Sequence, residues 1–379
     1  MAVAVVKKST IAIKKEATYG TDPTVASANV IRVESFDFDP NYDEIAVNEI
    51  RNTKDKLPTL PGKFTATGNI GLLLRGSSTA GTAPEGDPLF ECAVGAKNTS
   101  TASTTAAGST TTSVVLAAGG GVGFAVGDPI RVANPTPEVT WITAKSTDTL
   151  TVSPALAVAP ATGVAVGAGV HYKPSLVELP SFWSVLWRGD MVRENYGGNK
   201  IDSLDFDIGT GAICVAKFGF KGIKMTGPTT ESYGLGTPTY NSLNPLVGVK
   251  QTIKIGGSAI KVDKIACGIK NEIFDREDVT SDGISDRIHT GRVIEGSFSV
   301  LYESADIFNA FKNRTDNEAV LLLSNDGGLT AGQIVAIRIP KMRYTKAKIG
   351  QDNALFKYDV SFTANITNGE DALSSISWL

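Results

Sequence analysis

The chain is poor in the residues that carry out chemistry. Only two histidines occur in 379 residues, His171 and His289, too far apart in sequence to share a metal-binding spacing. The three cysteines, Cys92, Cys214 and Cys267, fit neither a metal motif nor a disulfide framework. Cys214 lies in the alternating run "AICVAKFGF" and reads as a buried apolar side chain. There is no G-x-S-x-G and no P-loop. The glycine-rich "GGGVGFAVGD" at 119–128 is followed by no helical pattern that could seat a phosphate, so it reads as a turn between strands. No catalytic residue, cofactor or metal is expected, and the chain does not read as an enzyme. No segment approaches the ~20 apolar residues that span a bilayer, so no membrane insertion is expected. The opening "MAVAVVKKST" has too short an apolar run for a signal peptide, and its lysines follow that run. The expectation is a protein made, and folded reduced, in a cytoplasm. Basic surplus is missing too: the net charge of −3 argues against general affinity for nucleic acid.

What is present is strand and turn. Hydrophobic residues make up 42% and charged residues 20%, as in an ordinary globular protein, and the length allows two or three domains. "IRVESFDFDP" at 31–40 alternates apolar and charged residues, and "ATGNIGLLL" at 66–74 is a strand. Between them, 40–62 is polar, charged and proline-bearing and reads as a long loop. "DPLFECAVGA" at 87–96 reads as a short helix with Asp87 at its N-cap. At residue 98 the composition changes: 98–170 holds five charged residues and is rich in Thr, Ala, Gly and Val. Short strands at "TTSVVLA", "DPIRVA", "VTWITAK" and "TLTVSP" suggest a small inserted all-β domain rather than a disordered linker. "NKIDSLDFDI", a "GTGA" turn and "ICVAKFGFKG" then form a hairpin, and 226–250 reads as a turn-rich linker.

The second half repeats the first. "IRVESF" at 31–36 matches "IKVDKI" at 260–265, an offset of 229. "ATGNIGLLL" matches "IEGSFSVLY" at 294–302, an offset of 228, with its glycine in place. "DPLFECAV" falls opposite "DIFNAFKN" at 306–313, and "ICVAKFGF" opposite "LFKYDVSF" at 355–362, an offset of 142. The drop in offset is close to the length of the insertion. The fold expected is therefore mainly β: two tandem sandwich or barrel units with one short helix each, plus an inserted all-β domain. The units span 1–97 with 171–225, and 251–379.

A β-unit with one helix and a long charged loop resembles the phage tail tube protein family. "KKEATYGTDPT" is similar to the N-terminal segment common there, "KIDSLDFDIGTGAICVAKFGFKG" to the closing hairpin and "GRVIEGSFSVLY" to the central strand. The resemblance covers about 300 residues and leaves out 98–170. It implies a structural subunit of the virion tail, assembled in the host cytoplasm. Such subunits form rings that stack into a tube; a tape-measure protein fills it and double-stranded DNA later passes through it. Tail terminator and tail-tip proteins would be further partners. Most of the family places six single units in a ring, so a duplicated chain would need three copies with pseudo-sixfold symmetry. The alternative is a tail-tip adhesin or decoration protein with 98–170 as its binding module.

Two sets of residues are candidates for assembly. The long loops 40–62 and 271–291 would make inter-ring contacts through Asp43, Glu44, Glu49, Arg51, Lys54, Asp55, Arg276, Glu277 and Asp278. The acidic strand faces of Asp37, Asp39, Asp205 and Asp207 must meet water or a partner. They would line the lumen and repel DNA, or meet the basic strand "RIPKMRYTKAKI" of the second half across a seam.

Overall fold

The computed structural model describes residues 5–52, 54–280, 283–327, 329–352, 354–366, 372–373 and 375–379. Alternating apolar residues build strands almost throughout. In the first half, β1 (Thr10–Lys15), β2 (Val30–Ile31), β3 (Ser35–Ile45) and β4 (Leu60–Leu73) precede helix α1 (Asp87–Val94) and β5 (Gly95–Ser100). A separate six-stranded sheet then runs from β6 (Ser103–Thr104) through β7 (Ser113–Val115), β8 (Pro129–Val132), β9 (Glu138–Ser146) and β10 (Thr149–Ser153) to β11 (Ala165–Val166). The chain returns through β12 (Gly169–Pro174), β13 (Phe182–Arg188), β14 (Val192–Gly209), β15 (Val215–Gly222) and β16 (Lys224–Thr230). The second half comprises β17 (Thr252–Ile255), β18 (Ser258–Ala259), β19 (Val262–Asp278), β20 (Gly283–Leu301), helix α2 (Asp306–Lys312), β21 (Asp316–Leu323), β22 (Val335–Asp352), β23 (Leu355–Ala364) and β24 (Ser375–Trp378).

Eight of these strands form one antiparallel layer in the order β3, β4, β15, β14, β19, β20, β23, β22. The first four strands and the last four have the same internal order. β14 and β22 are long because each also serves a second layer. The early part of β14 pairs with β13 and β16, and the early part of β22 with β21 and β24. Each crosses between layers at a bulge, between Ile201 and Ser203 in β14 and between Tyr344 and Lys346 in β22. A bulge bends a strand and strengthens its twist, which lets one strand turn the corner between layers. The two layers enclose a single continuous core through both halves, with Ile70, Phe90, Phe206, Phe218, Phe298 and Val360 among its buried members.

The helices fall on the two segments read as helical, with one difference. Asp87 is the first helical residue of α1, and Gly86 takes the cap position with φ of 87°. The Asp87 carboxylate turns away from the helix, accepting from Tyr172 Oη at 2.6 Å and Lys97 Nζ at 2.8 Å. The segments read as long loops also differ. β3 runs to Ile45 and β4 begins at Leu60, while β19 runs to Asp278 and β20 begins at Gly283. Both are two-stranded arms: the end of the first buries neither face and that of the second buries only Ile284 and Arg287, so the charged sequence shows no regular alternation. The segment read as a linker likewise opens as strand, β16, before an irregular run.

The six-stranded sheet has its own small core of Val114, Ile130, Ile142 and Leu150 with neighbours. Its stem is the β5–β12 pair, in which Asn98 lies opposite His171 and Thr99 opposite Val170. Trp141 and Val139 rest on Val320, Leu322 and Ile334 of the second half. Val320 and Leu322 alternate along β21 with Leu321 and Leu323, which point into the main core. The six-stranded sheet thus covers the far side of the second layer, away from the eight-stranded one.

A buried polar cluster holds the stem. His171 contacts Ser100 Oγ at 3.1 Å and Ser377 Oγ at 3.0 Å. Asp128, fully buried, takes Lys173 Nζ at 2.5 Å and accepts from Asn98 Nδ2 and the Ala125 amide. Burial pushes the His171 imidazole down to about 4, with Asp128 opposing and Lys173 reinforcing the shift. A histidine held neutral in the fold takes up its proton first in the unfolded chain. Stability is therefore full above pH ~6.5 and falls as pH drops toward 4, by about 3 kcal/mol for this residue. Urea unfolding of wild type and His171→Gln at pH 7 and pH 4 should show the wild-type advantage shrinking by about that amount; a pH-independent difference would refute it.

Candidate assembly interface

The eight-stranded layer has one apolar and one polar face. In β3, Phe38 is buried and Asp37 and Asp39 are exposed. In β14, Leu204, Phe206 and Ile208 are buried while Asp205 and Asp207 point the other way. Lys217 and Lys221 of β15, Lys264 and Lys270 of β19, Glu295 of β20 and Lys346 and Lys348 of β22 occupy the same polar side by strand alternation.

The two groups of four strands meet where β14 pairs with β19, Ser203 opposite Lys270 through Gly209 opposite Lys264. Beneath this seam Leu204, Phe206 and Ile208 pack with Ile265, Cys267 and Ile269. On the polar side, Lys264 Nζ sits 3.0 Å from Asp207 Oδ1. The Asp205 carboxylate lies over Gly268, where a Cβ would come within 2.1 Å of its Oδ1. Burial raises the Asp205 carboxyl above its usual range, and Lys270 works against that shift.

The arm residues are brought together only in part. Lys63 on β4 binds Glu277 Oε1 at 2.8 Å and Asp43 Oδ2 at 3.6 Å, tying the arms side by side. Arg51 pairs locally with Glu49 at 2.5 Å. Asp278 accepts the Thr280 amide at 2.8 Å, and this holds its carboxyl below the usual range. Glu44, Lys54 and Asp55 lie on the exposed first arm, and Arg276 is exposed on the second. Sequence reasoning missed the anchor of the second arm. Arg287, 1% exposed, pairs with Asp275 at 2.7 Å, and its carbonyl accepts from the buried Lys200 of β14, which also binds Glu178 at 2.8 Å. Nothing in the sequence pattern marks a buried Arg or Lys, because their partners come from distant segments.

Two glycines have matching surroundings. A Cβ on Gly68 would fall 2.2 Å from the Asp37 carbonyl oxygen and 2.5 Å from the Phe220 ring. On Gly296 it would fall 2.3 Å from the Ala266 carbonyl oxygen and 2.5 Å from the Phe362 ring. In each half an aromatic ring on the closing hairpin covers a bare stretch of the central strand. The sequence matches a family model for phage tail tube proteins over residues 7–364.

The chain belongs to the phage tail tube protein family. A search of curated proteins found no match. As a tail tube protein it is a structural component of the virion tail, in a family whose members act by self-association. Among the described residues no group of three or more His, Cys, Asp or Glu could hold a metal ion. No helix among them is long and apolar enough to cross a membrane.

The matched glycines give a direct test. Gly68→Ala and Gly296→Ala must each displace a backbone carbonyl as well as a ring, so each should cost about 1–3 kcal/mol of stability. Thermal unfolding of the two variants should show losses of similar size; a neutral result at either position would mean that the ring swings aside freely.

Proposed function

We propose that the chain carries two tail tube units and that three copies close into a ring of pseudo-sixfold symmetry, rings stacking into the tube. The observation that carries this reading is the β14–β19 seam. It joins two four-stranded modules of the same order and leaves β3 and the later part of β22, from Tyr344 onward, as open edges, each with a single partner strand among the described residues. An unpaired strand edge is a template for another chain, and a head-to-tail contact closes when its rotation closes. The polar face of the eight-stranded layer would line the lumen, against the tape-measure protein and then double-stranded DNA. Asp37, Asp39, Asp205 and Asp207 would sit there among lysines. The six-stranded sheet would then stand on the tube exterior, supported by its place beyond the second layer. The arms would reach the next ring, supported by exposed Tyr42, Ile45, Ile50, Leu60, Phe274 and Val279 along them.

Native mass spectrometry of isolated rings should give three chains, and a tube cross-section should show threefold symmetry with sixfold appearance. Six chains per ring would overturn the two-unit reading.

Replacing 98–170 with a short Gly/Ser bridge is geometrically simple, since Thr99 and Val170 already face each other. The deletion uncovers Val320 and Leu322, so thermal stability should fall, yet tubes should still form. A folded deletion protein that makes no tubes would refute the exterior placement.

A further inference from the structure

The β14–β19 seam inside the chain shows the register in which two such strand edges pair. The matched glycines align the halves residue by residue: Asp37 stands where Ala266 stands, each with its carbonyl beneath a glycine. Phe220 and Phe362 align likewise. Two residues on, Phe218 pairs with Leu204 and Val360 with Ala347, so Leu204 corresponds to Ala347 and Asp205 to Lys348. Within the chain Asp205 faces Gly268, Phe206 faces Cys267 and Asp207 faces Ala266. Transferred to the open edges, the same register sets Lys348 opposite Asp39, Ile349 opposite Phe38 and Gly350 opposite Asp37 of a second copy.

Three observations favour that occupant. The first is charge. The β3 edge presents Asp37 and Asp39, the β22 edge Lys346 and Lys348, all exposed. No ion pair joins any of these four to another group among the described residues. The second is the apolar floor. Ile349, on the core side of β22, is 48% exposed, whereas its counterpart Phe206, covered by β19, is 1% exposed. The third is the helix beside the edge. α1 buries Leu89, Phe90, Cys92, Ala93 and Val94, while α2 has no fully buried residue and Phe308 is 42% exposed.

The polarity of the two seams is reversed. Inside the chain the acid is on β14 and the base on β19; at the open edges the base is on β22 and the acid on β3. We propose that this reversal is the code that makes assembly head-to-tail: β22 of one copy pairs with β3 of the next, and every like-with-like pairing is rejected. Two β3 edges would set aspartates together, and two β22 edges lysines, so closed two-copy dead ends are disfavoured. An invading β22 would meet Lys264 and Lys270 on β19, and an invading β3 would meet Asp205 and Asp207 on β14. The covalent seam is thereby protected from strand exchange. The inference rests on the ring reading above and adds the pairing partner, the register and the discrimination.

Three variants of the full chain test it: Asp37→Lys with Asp39→Lys, Lys346→Asp with Lys348→Asp, and all four together. Light scattering at low ionic strength should show assembly slowed about tenfold or more in each two-residue variant, whose edges then carry one sign. The four-residue variant, with both edges exchanged, should recover to within about twofold of wild type. Circular dichroism of the unassembled chains should be unchanged, melting should fall only slightly where Lys348→Asp sets a carboxylate opposite Asp359, and assembly is compared at a temperature where every variant is folded. Register is read separately: Asp37→Cys with Gly350→Cys should cross-link neighbouring copies on oxidation, since facing residues on antiparallel strands lie about 4.5–5.5 Å apart. Wild-type rings with no loss in the two-residue variants, or no rescue in the four-residue one, overturn the charge code while leaving the tube reading intact. A wild-type chain that never self-associates overturns both.

Discussion

The pairing of β14 with β19 is the contact on which the rest of the structure depends. A β-strand must satisfy its amides and carbonyls on both sides or leave an edge. Each four-stranded module alone would have two edges and a core open at its flank. The seam closes one edge of each module, buries Phe206 and Ile208 against Cys267 and Ile265, and makes the two halves share one core. It cannot do the same for β3 and β22, which lie at opposite ends of the layer. Joining two modules therefore moves the unsatisfied edges apart without removing them.

The helices show what a missing neighbour does to elements in corresponding places of the two modules. α1 is enclosed, and its last carbonyls are met from across the seam: Ala93 O accepts from Asn271 and Val94 O from Arg292. α2 follows the corresponding central strand and has a similar apolar run, yet its face stays open. The difference lies in surroundings rather than in helix-forming sequence, because α2 stands at the end of the layer where no β19 equivalent follows.

Much of this architecture was legible. Alternation marked strands of the eight-stranded layer, Asp-Pro marked the first helix and its match to "DIFNAFKN" the second, and the glycine shared by "ATGNIGLLL" and "IEGSFSVLY" occupies the same niche in both halves. Other features were hidden for physical reasons. The arms are strands with few buried side chains, Ile284 and Arg287 in the second among them, so their sequence carries no period-two signal. β24 pairs with both β12 and β22, and its Trp378 packs on Phe90 and Tyr172, but a four-residue strand so far from its partners leaves no local trace. The Lys200–Arg287 anchor is equally silent, since a buried cation is defined by its partners.

The sequence sets the aspartates either on a lumen or against the basic strand of the second half, and that strand is β22, four strands along the layer from β14. Asp207 lies on the polar face and meets Lys264 across the internal seam at once. From β15 onward the strands change sign in turn, lysine on β15, acid on β14, lysine on β19 and Glu295 on β20, whereas β4, between β3 and β15, sets uncharged Asn69 and Thr67 opposite Asp37 and Asp39. Directly facing pairs such as Asp205 with Lys217 and Lys348 with Asp359 follow from that alternation. In the interior of the sheet every charged strand has a neighbour of the other sign, so the field beyond about one Debye length, ~10 Å at 0.1 M salt, is small. At β3 the aspartates have no charged residue opposite them on β4, and at β22 Lys348 faces Asp359 while Lys346 faces Ser361, so each open edge keeps charge of one sign. The change of sign through the middle strands thus gives a mixed surface there, while the two ends of the layer carry opposite charge, aspartates on β3 and lysines on β22.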